Sequence, residues 1–292
     1  MSEAARRFNT QYLESLRHAP ANSALGRLRV LWWPSFLHAC EAGPLGEVLD
    51  GLDLFMNVGR AELHRLAEDY AEQQAPEGQI SKKVQLRNQF LKSNTGKMFE
   101  RFVGLALAQS LLTSDSRFCV LPFNDRSIRC CRGLTRESFR VAIQMGATTL
   151  RTIIDSDLFI FDPDSETSDF FLVSIKSTLK DRFHNVPFWN LLRRAAVSEE
   201  SFPEITVESP GILSRAKYIA ICSDLAQEQP DFGTSGGARM LLQVDAALLD
   251  GAYVTASRAQ GVAHTGRHLG HDRDAAFFRL SNFFDYLVTG NN

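Results

Sequence analysis

Asp155 and Asp157 stand two residues apart just before the apolar run Leu158 to Phe161, and Lys176 closes a second apolar run that begins at Phe170. The segment between the runs, Asp162 to Ser168, is polar and turn-forming, so the pair reads as a β-hairpin. With the turn centred near Ser165, Lys176 falls opposite about residue 154, beside both acids. Side chains two apart share one face of a strand, so Asp155 and Asp157 point together, as do Ser174 and Lys176. An apolar hairpin that gathers two acids and a lysine at one end is a poor way to finish a core strand. It is a good way to hold a metal ion beside a charged substrate oxygen. Hard divalent cations such as Mg²⁺ take carboxylate and water ligands, and a neighbouring lysine can stabilise a phosphorane-like transition state. Asp157, directly before the strand, is the first choice of ligand and Asp155 the second, while Asp164 lies in the turn, a strand length from Lys176. The plain alternative is that the acids cap a strand and that Lys176 is an edge lysine deterring aggregation.

Beyond Lys176 runs Ser177-Thr178-Leu179-Lys180-Asp181-Arg182. In the major groove G offers two acceptors, which suit Arg or Lys, and C offers an amino donor, which suits Asp. Lys180, Asp181 and Arg182 in the order donor, acceptor, donor therefore suit adjacent G·C pairs, or else form a solvated turn before a helix. The segment Ser81 to Arg101 has six basic residues against one acid, Glu100, which fits phosphate contacts as well as a soluble helix face. His264, His268 and His271 lie among Gly266, Arg267, Gly270 and Arg273, a setting of loop rather than zinc site. The run Asp231 to Gly237 is glycine-rich but lacks the ending of a phosphate loop, so no nucleotide cofactor is indicated.

The elements that must position these groups follow from periodicity. Apolar spacing of three and four predicts helices over Phe8 to His18, Leu25 to Cys40 and Glu62 to Glu72, with Trp32 and Trp33 in a helical core. The polar stretch Glu72 to Gly78 reads as a linker between an N-terminal helical region, 1–78, and a domain over 79–292. Helical spacing returns from Lys82 to Leu112, divided near Asn94 to Gly96 with Thr95 as a cap, and a further helix is expected after Thr135. Strands are expected at Phe118 to Pro122, in the hairpin, at Tyr218 to Cys222, Leu241 to Val244 and Tyr253 to Ala256, with helices at Phe188 to Val197 and Ala275 to Leu287. This order is α/β, with a mixed sheet flanked by helices.

The chain has 292 residues and a net charge of −2, so it exerts no global pull on polyanions and any nucleic-acid function must come from local patches. Its five cysteines are odd in number and carry no metal-ligand spacing, which points to a reducing cytoplasm. No stretch reads as a signal peptide or a membrane span, so a soluble, cytoplasmic protein is expected.

The hairpin resembles the active-site hairpin of the PD-(D/E)XK nuclease superfamily, where an Asp opens one strand and a (D/E)-x-K tripeptide ends the next. Here the tripeptide is Ser174-Ile175-Lys176, with Ser in the acidic position. That departure, followed by a basic-acidic-basic run, is similar to the EcoRII and NgoMIV group of type II restriction endonucleases, which cut sites containing CC and GG. The resemblance implies a restriction-endonuclease-like core and base contacts from Lys180, Asp181 and Arg182. In that group a displaced Glu on the helix after the lysine replaces the missing acid. Here that stretch has no acid before Glu199 and Glu200. The superfamily often has a helix presenting a Glu just before the sheet, and Gly96-Lys97-Met98-Phe99-Glu100 is similar in placement. The resemblance thus implies Asp157, Lys176 and Glu100 as catalytic residues and Asp157, Glu100 and Asp155 as ligands of Mg²⁺. It covers about residues 94 to 222.

Together these readings give a Mg²⁺-dependent, sequence-specific double-stranded DNA endonuclease, with a homodimer as the economical assembly on a palindromic site. Two alternatives remain open. One is a non-catalytic DNA-binding protein of the same fold, and the other is a structure-specific repair nuclease of the superfamily.

Overall fold

A computed structural model describes residues 1–129, 134–178, 183, 185–197, 205–208, 211–225, 229–233 and 237–290 of the chain. It begins with helices α1 (Glu3–Arg17), α2 (Ala24–Leu31), α3 (Trp33–Ala42), α4 (Leu45–Asp50), α5 (Leu52–Phe55) and α6 (Arg60–Gln74), then the long helix α7 (Ile80–Thr113). Strand β1 (Cys119–Pro122), helix α8 (Asp125–Arg129) and strands β2 (Arg140–Met145), β3 (Thr148–Ile153), β4 (Leu158–Phe161) and β5 (Phe170–Lys176) follow. The rest holds α9 (Asn185–Val197), β6 (Ile205–Glu208), β7 (Ala216–Cys222), α10 (Gly237–Ala247), β8 (Gly251–Val254), β9 (Phe278–Arg279) and α11 (Leu280–Thr289).

Six strands form a mixed central sheet in the order β1-β4-β5-β7-β8-β9, flanked by helices, and β3-β2-β6 form a small antiparallel sheet. Strand β5 joins the two halves of the large sheet, antiparallel to β4 and parallel to β7. Its position explains its sequence: an interior strand covered on both faces reads as a continuous apolar run, and only Lys176 at its end escapes full burial. Helix α1 starts where the Ser2 hydroxyl accepts the Ala5 N–H at 3.1 Å, and it buries Ala5, Phe8, Tyr12 and Leu16 at helical spacing. The Phe8 ring lies 5.9 Å from that of Phe161 in β4, and Trp32 and Phe36 lie 5.6 and 5.5 Å from Phe102 in α7. The N-terminal helices, α7 and the sheet therefore share one apolar core. Among the described residues, no helix is long and apolar enough to cross a membrane.

Several elements differ from the sequence-based expectation. The helix expected over Leu25 to Cys40 is two, because Trp32 leaves ideal helical geometry just before Pro34, which is accommodated in the first turn of α3. The division expected at Asn94 to Gly96 is absent, and α7 runs unbroken for 34 residues. After Thr135 there is a single 3₁₀ turn, Arg136–Phe139, closed by a capping box with Ser138, and then a hairpin of β2 and β3 that turns at Gly146 with φ 57°. Leu241 to Val244 lies inside α10 rather than in a strand; a short apolar run does not distinguish the two.

Candidate active site

The parallel strands β5, β7 and β8 end level with one another, Lys176 beside Cys222 and Cys222 beside Val254. The ladder continues one step past them: Ser223 N donates to Lys176 O at 3.0 Å and Thr255 N to Cys222 O at 3.0 Å. In open α/β sheets this carboxyl edge is where ligands bind. Since β4 runs antiparallel to β5, residues that precede β4 arrive at the same edge, and Asp157 is the first of them.

Asp157 is fixed from three sides. Its N–H donates to Val173 O at 2.9 Å and its carbonyl accepts from Phe123 N at 3.0 Å. The hydroxyl of Ser156 lies 2.9 and 3.0 Å from the carbonyl oxygens of Leu158 and Val173, which holds the turn into β4. The carboxylate then replaces the missing strand partner of β5, with Oδ2 accepting the Ile175 N–H at 2.6 Å. Lys176 Nζ approaches the same oxygen at 3.4 Å and Ser174 Oγ at 3.5 Å. Both charged side chains stay partly open to solvent, 26% for Asp157 and 21% for Lys176. Among the described residues, no hydrogen bond reaches Oδ1, so one carboxylate oxygen organises the strand end and the other has capacity to spare.

Helix α7 crosses this edge through two glycines. A Cβ on Gly104 would come within 2.8 Å of the Leu158 side chain, and one on Gly96 within 3.8 Å of Ser177 Oγ. Gly96, Glu100 and Gly104 are spaced by four and share a helix face, so the half-buried Glu100 is carried toward the hairpin between those two contacts.

Asp155 does not join Lys176 in the same way. Its side chain is exposed and borders a separate hollow of about 440 Å³ with Phe123, Asn124, Arg136 and Ile153, while its carbonyl accepts a hydrogen bond from the Tyr218 hydroxyl. Burial pushes the Tyr218 phenol well up, and the charges of Asp155 and Asp157 add to this, so Tyr218 is a neutral donor beneath both acids. Its role went unseen in the sequence because a parallel neighbour is set by the crossover and not by local spacing. Ser223 and Asp224, which follow β7 at this edge, escaped for the same reason.

Among the described residues, no three His, Cys, Asp or Glu side chains come close enough to share a metal ion. Lys180, Asp181, Arg182, Glu199 and Glu200 lie outside the described residues. Of the basic segment, Lys83 pairs with Glu72 at 2.6 Å and Arg87 with Glu68 at 2.9 Å, which ties α7 to α6. His268 is core rather than ligand: it is buried, its Nδ1 lies 2.7 Å from the Tyr253 hydroxyl, and burial pushes its pKa down to about 4.

No protein-family model matches the chain, and no curated protein does. Among solved structures, a "Restriction endonuclease PspGI-substrate DNA complex" is similar over 98% of this chain and 95% of that one, at 13% identity and a TM-score of 0.45. The functional reading therefore rests on the residues of the edge themselves.

Proposed function

We propose that the protein is a Mg²⁺-dependent type II restriction endonuclease that hydrolyses both strands of DNA at a palindromic site containing CC and GG. The observation that carries this reading is the pairing of Asp157 with Lys176 at the carboxyl edge of the sheet, with one carboxylate oxygen held and the other without a hydrogen bond among the described residues. A hard cation fits this donor set, since Mg²⁺ binds through one or two carboxylates and keeps several waters. Asp157 would hold it, with Glu100, or Asp155, completing the shell directly or through water. Bound there, the cation supplies Lewis-acid polarisation of the scissile phosphate and lowers the pKa of water.

The chain's own groups do the rest. Lys176 places a fixed positive charge where the equatorial oxygens of the pentacovalent phosphate gain negative charge, and orients the attacking water for in-line displacement. Asp157 keeps the ammonium of Lys176 at the strand end, and Ile175 N–H keeps the carboxylate in place. Lys180, Asp181 and Arg182 follow Lys176 closely enough to read base edges while the phosphate occupies the site. Two-fold symmetric DNA is served by a homodimer with one such edge per strand, in the reducing cytoplasm that the free cysteines suit.

A second reading, a DNA-binding protein without catalysis, is favoured by the lack of a three-carboxylate cluster among the described residues. Incubation of the pure protein with mixed-sequence plasmid and Mg²⁺ separates the readings. Discrete fragments, lost in Asp157→Asn, are expected. Binding without cutting would select the second reading, and cuts that follow DNA structure rather than sequence would select a repair nuclease.

A further inference from the structure

A cleft of about 680 Å³ opens beside the candidate active site, where the start of α6 meets the loops that follow β7 and β8. Its lining includes Arg60 and His64 of α6, Thr95 of α7, Ser223 after β7 and Arg258 after β8. Ser223 N donates to Lys176 O and Leu225 N to Ser177 O, so the cleft is one strand spacing, about 4.8 Å, from the lysine strand.

Three independent features give the cleft a chemistry. Arg60, His64 and Arg258 are all exposed on its walls. Helix α6 is 15 residues long and starts at Gly59 with no side-chain cap, so the N–H groups of Ala61 and Glu62 precede its first hydrogen bond, Leu63 N to Gly59 O. Ser223 is wholly buried, yet its hydroxyl has no partner among the described residues, and it lies in the cleft lining. A buried hydroxyl without a partner is costly and calls for a ligand. Of the two carboxylates in the lining, Asp53 is turned to the Ser257 N–H at 2.8 Å and Oγ at 3.2 Å, and Asp224 directly follows Ser223 in the chain. Two guanidiniums, an imidazole, a helix start and a hydroxyl donor share one preference, a tetrahedral oxyanion.

We propose that this cleft seats a backbone phosphate of the DNA strand that passes Asp157 and Lys176, held by Arg60, Arg258 and the Ser223 hydroxyl at the open start of α6. The inference rests on the DNA-binding reading above but not on catalysis.

The test is fluorescence anisotropy of a labelled duplex without Mg²⁺, over a range of salt, with the full chain. Wild type should bind with a steep salt slope. Arg60→Gln with Arg258→Gln should lower that slope by about two, roughly one per lost phosphate contact, whereas Arg65→Gln on the same helix should leave it unchanged. An unchanged slope in the double variant overturns the cleft assignment while leaving the nuclease reading intact, and wild type that does not bind duplex at all overturns both. Ser223→Ala provides a second readout. It removes no hydrogen bond among the described residues, so its melting temperature should hold or rise while duplex affinity falls several-fold. Unchanged affinity overturns the hydroxyl's role. A deoxynucleoside monophosphate that binds wild type and displaces no duplex would make the cleft a free-nucleotide site and overturn the backbone assignment.

Discussion

Asp250 and Arg193 form one acid–cation pair at the backbone of Tyr218, and Asp157 and Lys176 form another near the hydroxyl end of the same residue. The Tyr218 N–H donates to Asp250 Oδ2 at 2.7 Å, and its hydroxyl donates to the carbonyl of Asp155, two residues before Asp157. Around Asp250 the site is closed. Arg193 Nη2 meets Oδ2 at 2.7 Å, Nε donates to Asn190 Oδ1 at 2.8 Å, Asn190 Nδ2 donates to Leu248 O at 2.8 Å, and the pair's side chains are only 7% and 3% exposed. Around Asp157 the ion pair is longer, the side chains are open to solvent, and Oδ1 has no hydrogen bond among the described residues. The same residue types thus serve different ends. A buried pair whose Oδ2 takes both the Arg193 guanidinium and the Tyr218 N–H fixes how helix α9 docks on the sheet, whereas a partly exposed pair can take up a ligand.

The contrast breaks most sharply at Asp157. Asp157→Asn keeps an oxygen for the Ile175 N–H but removes the charge, so cleavage should be abolished while the unfolding midpoint barely moves and duplex binding stays the same or tightens. Plasmid digestion and a urea melt of one preparation check both halves. Should Asp155→Asn lose cleavage and Asp157→Asn retain it, the assignment of the two acids reverses. Asp250→Ala should do the opposite: it leaves Arg193 buried without its counter-charge, at a cost of about 3–5 kcal/mol of stability. Denaturant titration measures that loss, and a change under about 1 kcal/mol would mean that the closed pair is not structural.

Lys176→Ala should lower the single-turnover rate by roughly 10²- to 10³-fold with little change in affinity, because its interaction strengthens as charge develops on the phosphate. Glu100→Gln should cost less, and a wild-type rate in that variant would remove Glu100 from the site. Asp181→Ala and Arg182→Ala should each lose about 1–3 kcal/mol of binding to a duplex carrying CC·GG and little on one with A·T in its place. Equal losses on both duplexes would reassign these residues to the backbone.

A further effect belongs to the buried side of the comparison. The His268 pKa is held near about 4 in the folded chain against 6.5 ordinarily, so the unfolded chain takes up a proton first as pH falls. Stability should therefore decline from pH 6.5 toward 4, and His268→Gln should flatten that slope. Urea midpoints across this range give the answer; the same slope in the variant would assign the effect to other groups.

Some of this was legible locally. Two apolar runs around a polar turn determine a hairpin, and its register, Leu158 opposite Val173, agrees to within one residue with a turn centred near Ser165. Extended one step, that register sets Asp157 opposite Ser174 and two residues from Lys176, because antiparallel pairing across a short turn is a matter of counting residues. Periodicity likewise located α1, α6, α9 and the second half of α7, whose apolar faces are continuous. Where the deciding contact is distant in sequence, counting fails. The chain beside Asn94 and Gly96 carries helix-breaking signals, yet α7 runs whole for 34 residues, its second half buried in the common core against elements distant in sequence.

The sequence by itself therefore determined which residues hold charge at the end of an apolar hairpin, since side-chain alternation and turn length are local properties. Only the tertiary structure decided what surrounds them. The parallel pairing of β5 with β7 brings Tyr218 beneath the acids and Ser223 beside Lys176, and α7 packs against the hairpin at Gly104, one turn after Glu100. Asp155 and Asp157, equivalent by spacing, differ because one carboxylate replaces a strand partner of β5 and the other faces solvent, a distinction that exists only once the sheet has formed.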